Sequence, residues 1–177
     1  MTHMIVIIAI ALMSVTAAFS QTADYSGIWG LDVGKSELNE RSRIEAMKLT
    51  VTQADGSLTV ATETTRAAPA GGGGGMGRGG RAAALGDASF TYRLDGKETK
   101  SELASPMGIV PVKLKAKQDA GKPELTTTRT FDGPRGEVSM TMTEEWSLSS
   151  DGKTLTVKRE SQSPRGKNKS TLVFTKQ

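Results

Sequence analysis

The chain has 177 residues, a formal net charge of +4, a single histidine, His3, and no cysteine. The lack of cysteine excludes disulfides, thiol chemistry and Cys-His arrangements; His3 lies in the segment expected to be removed as a signal peptide, and without it Ser-His-Asp catalysis has no base and zinc lacks its usual ligands. What remains is carboxylate, Lys, Arg, Ser, Thr and Tyr chemistry, or no catalysis; no motif singles out a catalytic residue, and neither a metal nor a cofactor is expected.

The first feature along the chain is Met4–Met13, MIVIIAIALM, an unbroken apolar run. It is too short to cross a bilayer, which takes about 20 residues, and it suits the apolar region of a signal peptide. Ala18-Phe19-Ser20 places small side chains three and one before a cut at Gln21. Residues 1–20 are therefore expected to be a signal peptide, and 21–177 a single periplasmic or secreted domain. The alternative is a buried N-terminal strand or helix. With no cysteine to carry a lipid, the exported domain should be soluble, without stable membrane insertion. In an oxidising compartment it must hold together by packing alone.

From residue 26 onward the hydrophobic period is two, the period of half-buried strands. Strands are expected near 26–32, 44–53, 57–66, 87–94, 97–103, 109–117, 123–131, 137–148, 153–162 and 168–176. Only 35–46, KSELNERSRIEA, could hold a short turn of helix. Turns are written as ADGS at 54–57, LDGK at 94–97, FDGPRG at 131–136 and SDGK at 150–153, and Asp-Gly between alternating runs is a strong hairpin signal. The short connections imply an all-β fold, an antiparallel up-and-down meander of about 8–10 strands, closed into a barrel rather than stacked as a sandwich.

Residues 67–86 interrupt this rhythm with one long glycine-rich loop. It contains Gly-x-Gly-x-x-Gly at Gly75, Gly77 and Gly80. A dinucleotide-binding turn needs a parallel strand before it, a helix after it and an acidic residue further on. The flanks here are a Thr-rich strand, SLTVATETTR, and RAAALGDASFTYRL, with room for one helical turn at most. In so glycine-rich a tract the spacing arises from composition, so no nucleotide or nucleic-acid partner is expected. The segment is expected to be a flexible, solvated hairpin loop.

The strands that follow carry the bulk. Phe90, Tyr92 and Leu94 share a face. Val138, Met140, Met142, Trp146 and Leu148 share another, and both sets are either plain core or the wall of a cavity. Lys113, Lys115 and Lys117 face outward and are expected to form a solvated edge that discourages strand pairing. A two-residue type I′ turn at Asp151-Gly152 sets Leu148 opposite Leu155, Trp146 opposite Val157 and Glu144 opposite Arg159. The apolar face of this hairpin then carries an opposed Glu–Arg pair, joined by Arg129, which shares a face with Leu125 and Phe131. An inward charge must be paired or solvated. The alternative is a bulge near TEEW that turns Glu144 outward and leaves a surface pair.

The stretch DYSGIWGLDVGKSEL at 24–38, with Gly27 and Trp29 opening the first strand, resembles the start of lipocalins. Together with EEWSLSSDGKTLTVKRE and the final TLVFTKQ, the chain is similar to the small exported bacterial lipocalin-like, calycin-type β-barrel proteins. The resemblance implies an up-and-down barrel holding a small apolar ligand. It also implies that Gly27 and Trp29 close one barrel end, with Lys176 or Arg165 covering the indole. The Thr-Asp-Tyr motif and the helix before the final segment of lipocalins are absent, and about ten strands stand where lipocalins have eight.

These expectations converge on a non-enzymatic exported barrel for a small, mostly apolar ligand that could carry an acid group. The candidate ligand-binding residues are Arg129, Glu144, Arg159, Trp146, Met140, Met142, Phe90 and Tyr92. The alternative is a barrel filled by its own side chains, serving as a structural or interaction module. Oligomeric state is not read from the sequence.

Overall fold

Alternation of buried and exposed residues recurs on strand after strand. Val112, Leu114 and Ala116 are buried between exposed Lys113, Lys115 and Lys117. Leu155 and Val157 are likewise buried, and Lys158 is exposed. Each strand thus has one face that must be covered, and ten such strands in sequence do so by curving around a shared interior.

The computed structural model describes residues 23–38, 42–67, 87–105, 108–133, 136–164 and 166–177. The strands are β1 (Gly27–Leu31), β2 (Ile44–Ala54), β3 (Ser57–Arg66), β4 (Ala88–Arg93), β5 (Thr99–Ser105), β6 (Gly108–Asp119), β7 (Lys122–Gly133), β8 (Gly136–Leu148), β9 (Thr154–Ser163) and β10 (Gly166–Lys176). All ten expected strands are present. One 3₁₀ turn lies at Val33–Lys35, where the Asp32 side chain accepts from Lys35 N–H at 3.2 Å. Within 35–46, where the sequence allows a short helical turn, Ser42 is 3₁₀ and 39–41 lie outside the described residues. No helix among the described residues is long and apolar enough to cross a membrane. The expected signal peptide at 1–20 and nearly all of the glycine-rich loop, 68–86, lie outside the described residues, as does Arg165.

Every pairing is antiparallel, and the strand order is β4-β3-β2-β1-β10-β9-β8-β7-β6-β5. The ring is therefore an up-and-down meander joined across β1 and β10, where Trp29 faces Lys176 and Leu31 faces Phe174. It is nearly closed. The break lies between β4 and β5, consecutive strands that share no ladder, so LDGK turns the chain without forming the expected hairpin. Asp95 serves its own turn instead, accepting from Lys97 N–H at 3.0 Å and from Arg93 Nη2 at 2.7 Å. β4 packs more against β6 than against β5, and β4 and β5 are the two edges of the sheet. The lysines of β6 do face outward, but β6 is paired on both sides by β5 and β7. They do not guard an edge; Lys113 and Lys117 meet Glu98 and Glu124.

Turn chemistry explains most of the register. Asp55 and Gly56 have φ of 50° and 70°, and Ala54 faces Ser57: a two-residue turn with both central residues left-handed. The β6–β7 reversal uses the same geometry at Ala120 and Gly121, with φ of 46° and 79°, although no Asp-Gly announces it. At FDGPRG the ladder continues through Gly133 opposite Gly136, so the reversal falls past the Asp-Gly pair. At SDGK only Gly152 is left-handed, at 68°. Ser149 N–H donates to Thr154 C=O at 2.9 Å, closing a four-residue loop rather than a two-residue type I′ turn. The parity is unchanged, and so the facing pairs are those expected.

One barrel end is solid. The segment from Ala23 to Ser26 crosses it, and Gln53 accepts from Tyr25 N–H at 3.1 Å and donates to Ala23 C=O at 3.3 Å. The Tyr25 hydroxyl donates to the Gly121 carbonyl at 3.2 Å, and its ring stands edge-on to Trp146 at 6.0 Å. Trp29 is wholly buried here. Its Nε1 donates to the Tyr25 carbonyl at 3.0 Å, and Lys176 Nζ lies over the indole at 5.2 Å. Gly27 has a φ of 144°, and a Cβ there would stand 2.7 Å from Lys176 Cε. Glycine and tryptophan two apart are thus explained by one contact: the lysine that covers Trp29 passes over Gly27.

Candidate functional site

Beyond this solid end the interior opens into a chamber of about 170 Å³. Its polar part is built by three neighbouring strands. On β8, Leu148, Trp146 and Glu144 follow one another on the inner face; on β9, Leu155, Val157 and Arg159 do the same, each directly opposite its partner. The ladder runs through Thr143 and Glu145 without a bulge, so Glu144 stays inside, at 7 % exposure.

A carboxylate so placed requires partners, and both of its oxygens have them. Oε1 accepts from Arg159 Nε and Nη2, each at 2.7 Å. Oε2 accepts from Trp146 Nε1 at 3.2 Å. Trp146 therefore serves the site twice, as apolar wall and as donor that fixes the carboxylate.

Arg129 enters from β7, where it faces Val112 and Met140. Its guanidinium carbon lies 5.9 Å from the centre of the Phe90 ring, across the β4–β5 break. Burial lowers the pKa of Arg129, and the nearby Arg159 charge acts in the same sense. Tyr92, one alternation further along β4, shares a hydrogen bond of 2.7 Å with the Thr127 hydroxyl, again reaching β7 across the break. Burial pushes its phenol up to about 12, and the Glu144 carboxylate adds to the shift.

Of the eight candidate residues, the structure brings seven to the chamber: Arg129, Glu144, Arg159, Trp146, Met142, Phe90 and Tyr92. Met140 is 43 % exposed and lines a second, wider cleft instead. That cleft, about 680 Å³, lies at the opposite end of the barrel from Trp29, with Val110, Phe131 and Ile109 among its walls. Arg129 and Met142 line both spaces. Val138 and Met140 share the inner parity of Trp146 but lie toward the tip of the β7–β8 hairpin, where Val138 is half-buried and Met140 exposed. Several polar lining residues were not anticipated, among them Thr64 and Arg66 of the chamber and Thr127 of the cleft. Thr127 has the parity of Leu125 and Arg129, and Thr64 and Arg66 that of Leu58 and Val60, so alternation alone points to them. The Thr64 hydroxyl is buried and has no hydrogen-bond partner among the described residues. No group of acidic or histidine side chains among the described residues is placed to hold a metal.

No protein-family model matches the chain, and no curated protein does either. Among solved structures, the crystal structure of zebrafish ileal bile acid-binding protein complexed with cholic acid is similar over 86 % of this chain and 98 % of that one, with 13 % identity and a TM-score of 0.49. The barrel assignment rests on the strand order and register described above.

Proposed function

We propose that the protein is an exported barrel that carries a small, mostly apolar ligand in its interior. The observation that carries this is the chamber itself, an interior space lined by apolar side chains together with the hydrogen-bonded Glu144–Arg159 pair and Arg129. Such a mixture of apolar wall and a few fixed polar groups is the usual make-up of small-molecule sites. The buried hydroxyl of Thr64, which has no hydrogen-bond partner among the described residues, adds a polar group that a ligand could satisfy. The role is carriage rather than catalysis: a phenol held near 12 is a poor base at neutral pH, and the interior carboxylate is held on both oxygens.

Native mass spectrometry of the protein purified from its own host tests the proposal. A co-purifying small molecule, displaced by lipophilic probes, is the expected result. Neither a bound molecule nor probe binding would leave the filled interaction module, which the solid Trp29 end already resembles. Export is tested on the same sample, where the N-terminal residue should be Gln21; an N-terminus at Met1 in the folded protein contradicts it.

A further inference from the structure

The charges around the chamber are unequal in number. Arg66, Arg129 and Arg159 line it, against the single carboxylate of Glu144. Glu144 is fully engaged from within, by Arg159 on one oxygen and Trp146 on the other. It occupies the face of Arg159 that an incoming anion would otherwise take, the edge that presents Nε and Nη2 side by side. Arg129 is placed differently: it lines both the chamber and the cleft at the opposite end of the barrel from Trp29.

We infer that Glu144 is a specificity-determining residue: as an internal counter-ion it neutralises Arg159, and the chamber accepts an apolar molecule bearing one anionic group, such as a carboxylate or sulfonate, which lies against Arg129. The inference deepens the proposed carrier function and rests on it. Its physical content is that the carboxylate of Glu144 repels a second anion across a poorly screened interior. Removing that charge strengthens anion binding, and removing the charge of Arg129 weakens it. An uncharged ligand of the same shape feels neither change electrostatically.

Two naphthalene dyes of similar ring framework separate these effects: anilinonaphthalene sulfonate, an anion, and phenylnaphthylamine, which is neutral. Their dissociation constants are measured by fluorescence titration for the wild-type protein, Glu144→Gln and Arg129→Met, with near-ultraviolet circular dichroism to check the fold. Glu144→Gln should raise the preference for the sulfonate over the amine by about tenfold, the scale of one unit charge acting across several ångströms of protein. Arg129→Met should lower the same preference by a similar factor. An unchanged preference in Glu144→Gln, or a shift toward the amine, overturns the inference. Should Glu144→Gln not fold, Arg129→Met decides, and an unchanged preference there overturns it equally. If the wild-type protein binds neither dye, the proposed function itself fails, and this inference with it.

Discussion

Glu144 is buried and its partner Arg159 half-buried, and Arg159 Nε and Nη2 converge on one carboxylate oxygen. Removing one partner of such a pair strands the other in a poorly solvated place. Glu144→Gln and Arg159→Met should each cost about 3–5 kcal/mol in urea unfolding, and the double variant clearly less than the two losses combined. Additive losses near zero would place the pair at the surface. Tyr92 gives a prediction in pH. Its folded-state pKa, about 12, is raised above the ordinary phenol value. The contribution is therefore intact below about pH 10 and is lost as pH rises from about 10 to 12, by about 2–3 kcal/mol in all. Tyr92→Phe should flatten that alkaline decline when urea midpoints are compared across the range. Tyr25 is raised in the same direction by burial, so part of the slope persists. An alkaline decline identical to the wild type's would show that Tyr92 is not the group responsible.

The strands were legible because burial has the period of the strand: where Val112, Leu114 and Ala116 alternate with lysines, the inward face follows without further information. The Glu144–Arg159 opposition was legible for the same reason. A two-residue and a four-residue loop at SDGK give the same parity, so the facing pairs survive an error in turn type. Asp-Gly was a poorer guide to what lies beyond it. At LDGK the dipeptide turns the chain, yet β4 and β5 diverge, because a turn signal carries no information on whether the strands it joins have other partners. What the sequence could not show is that β4 is held to the far wall by side chains, through Tyr92–Thr127 and Arg129–Phe90. Such contacts give less protection than a ladder, and local opening should start at this break. Amide hydrogen exchange should therefore be faster along β4 and β5 than along β8 and β9. Equal protection on both sides would mean that the break is closed in solution.

Across the whole molecule the interior is graded from solid to open. Trp29, Phe174, Leu58 and Leu155 fill one end completely; Phe131, Met140 and Ile109 stay exposed at the other; the chamber lies between. Trp29→Ala should cost about 3–5 kcal/mol, because the indole fills a site that cannot collapse. Lys176→Met should cost less than about 1 kcal/mol, the worth of an exposed cation over a ring. A loss under about 1 kcal/mol for Trp29→Ala would place the indole outside the core. The central claim, that the interior receives a ligand, can be tested at one residue. Only two tryptophans exist in the chain, and only Trp146 lines the chamber. In Trp29→Phe, Trp146 is the sole indole emitter, and bromine quenches indole emission only at close contact. Titration with a bromine-labelled medium-chain carboxylate should quench Trp146 saturably, as a single class of sites filling. Emission that is unaffected, or that falls linearly without saturation as in collisional quenching from solvent, would contradict a ligand inside the barrel.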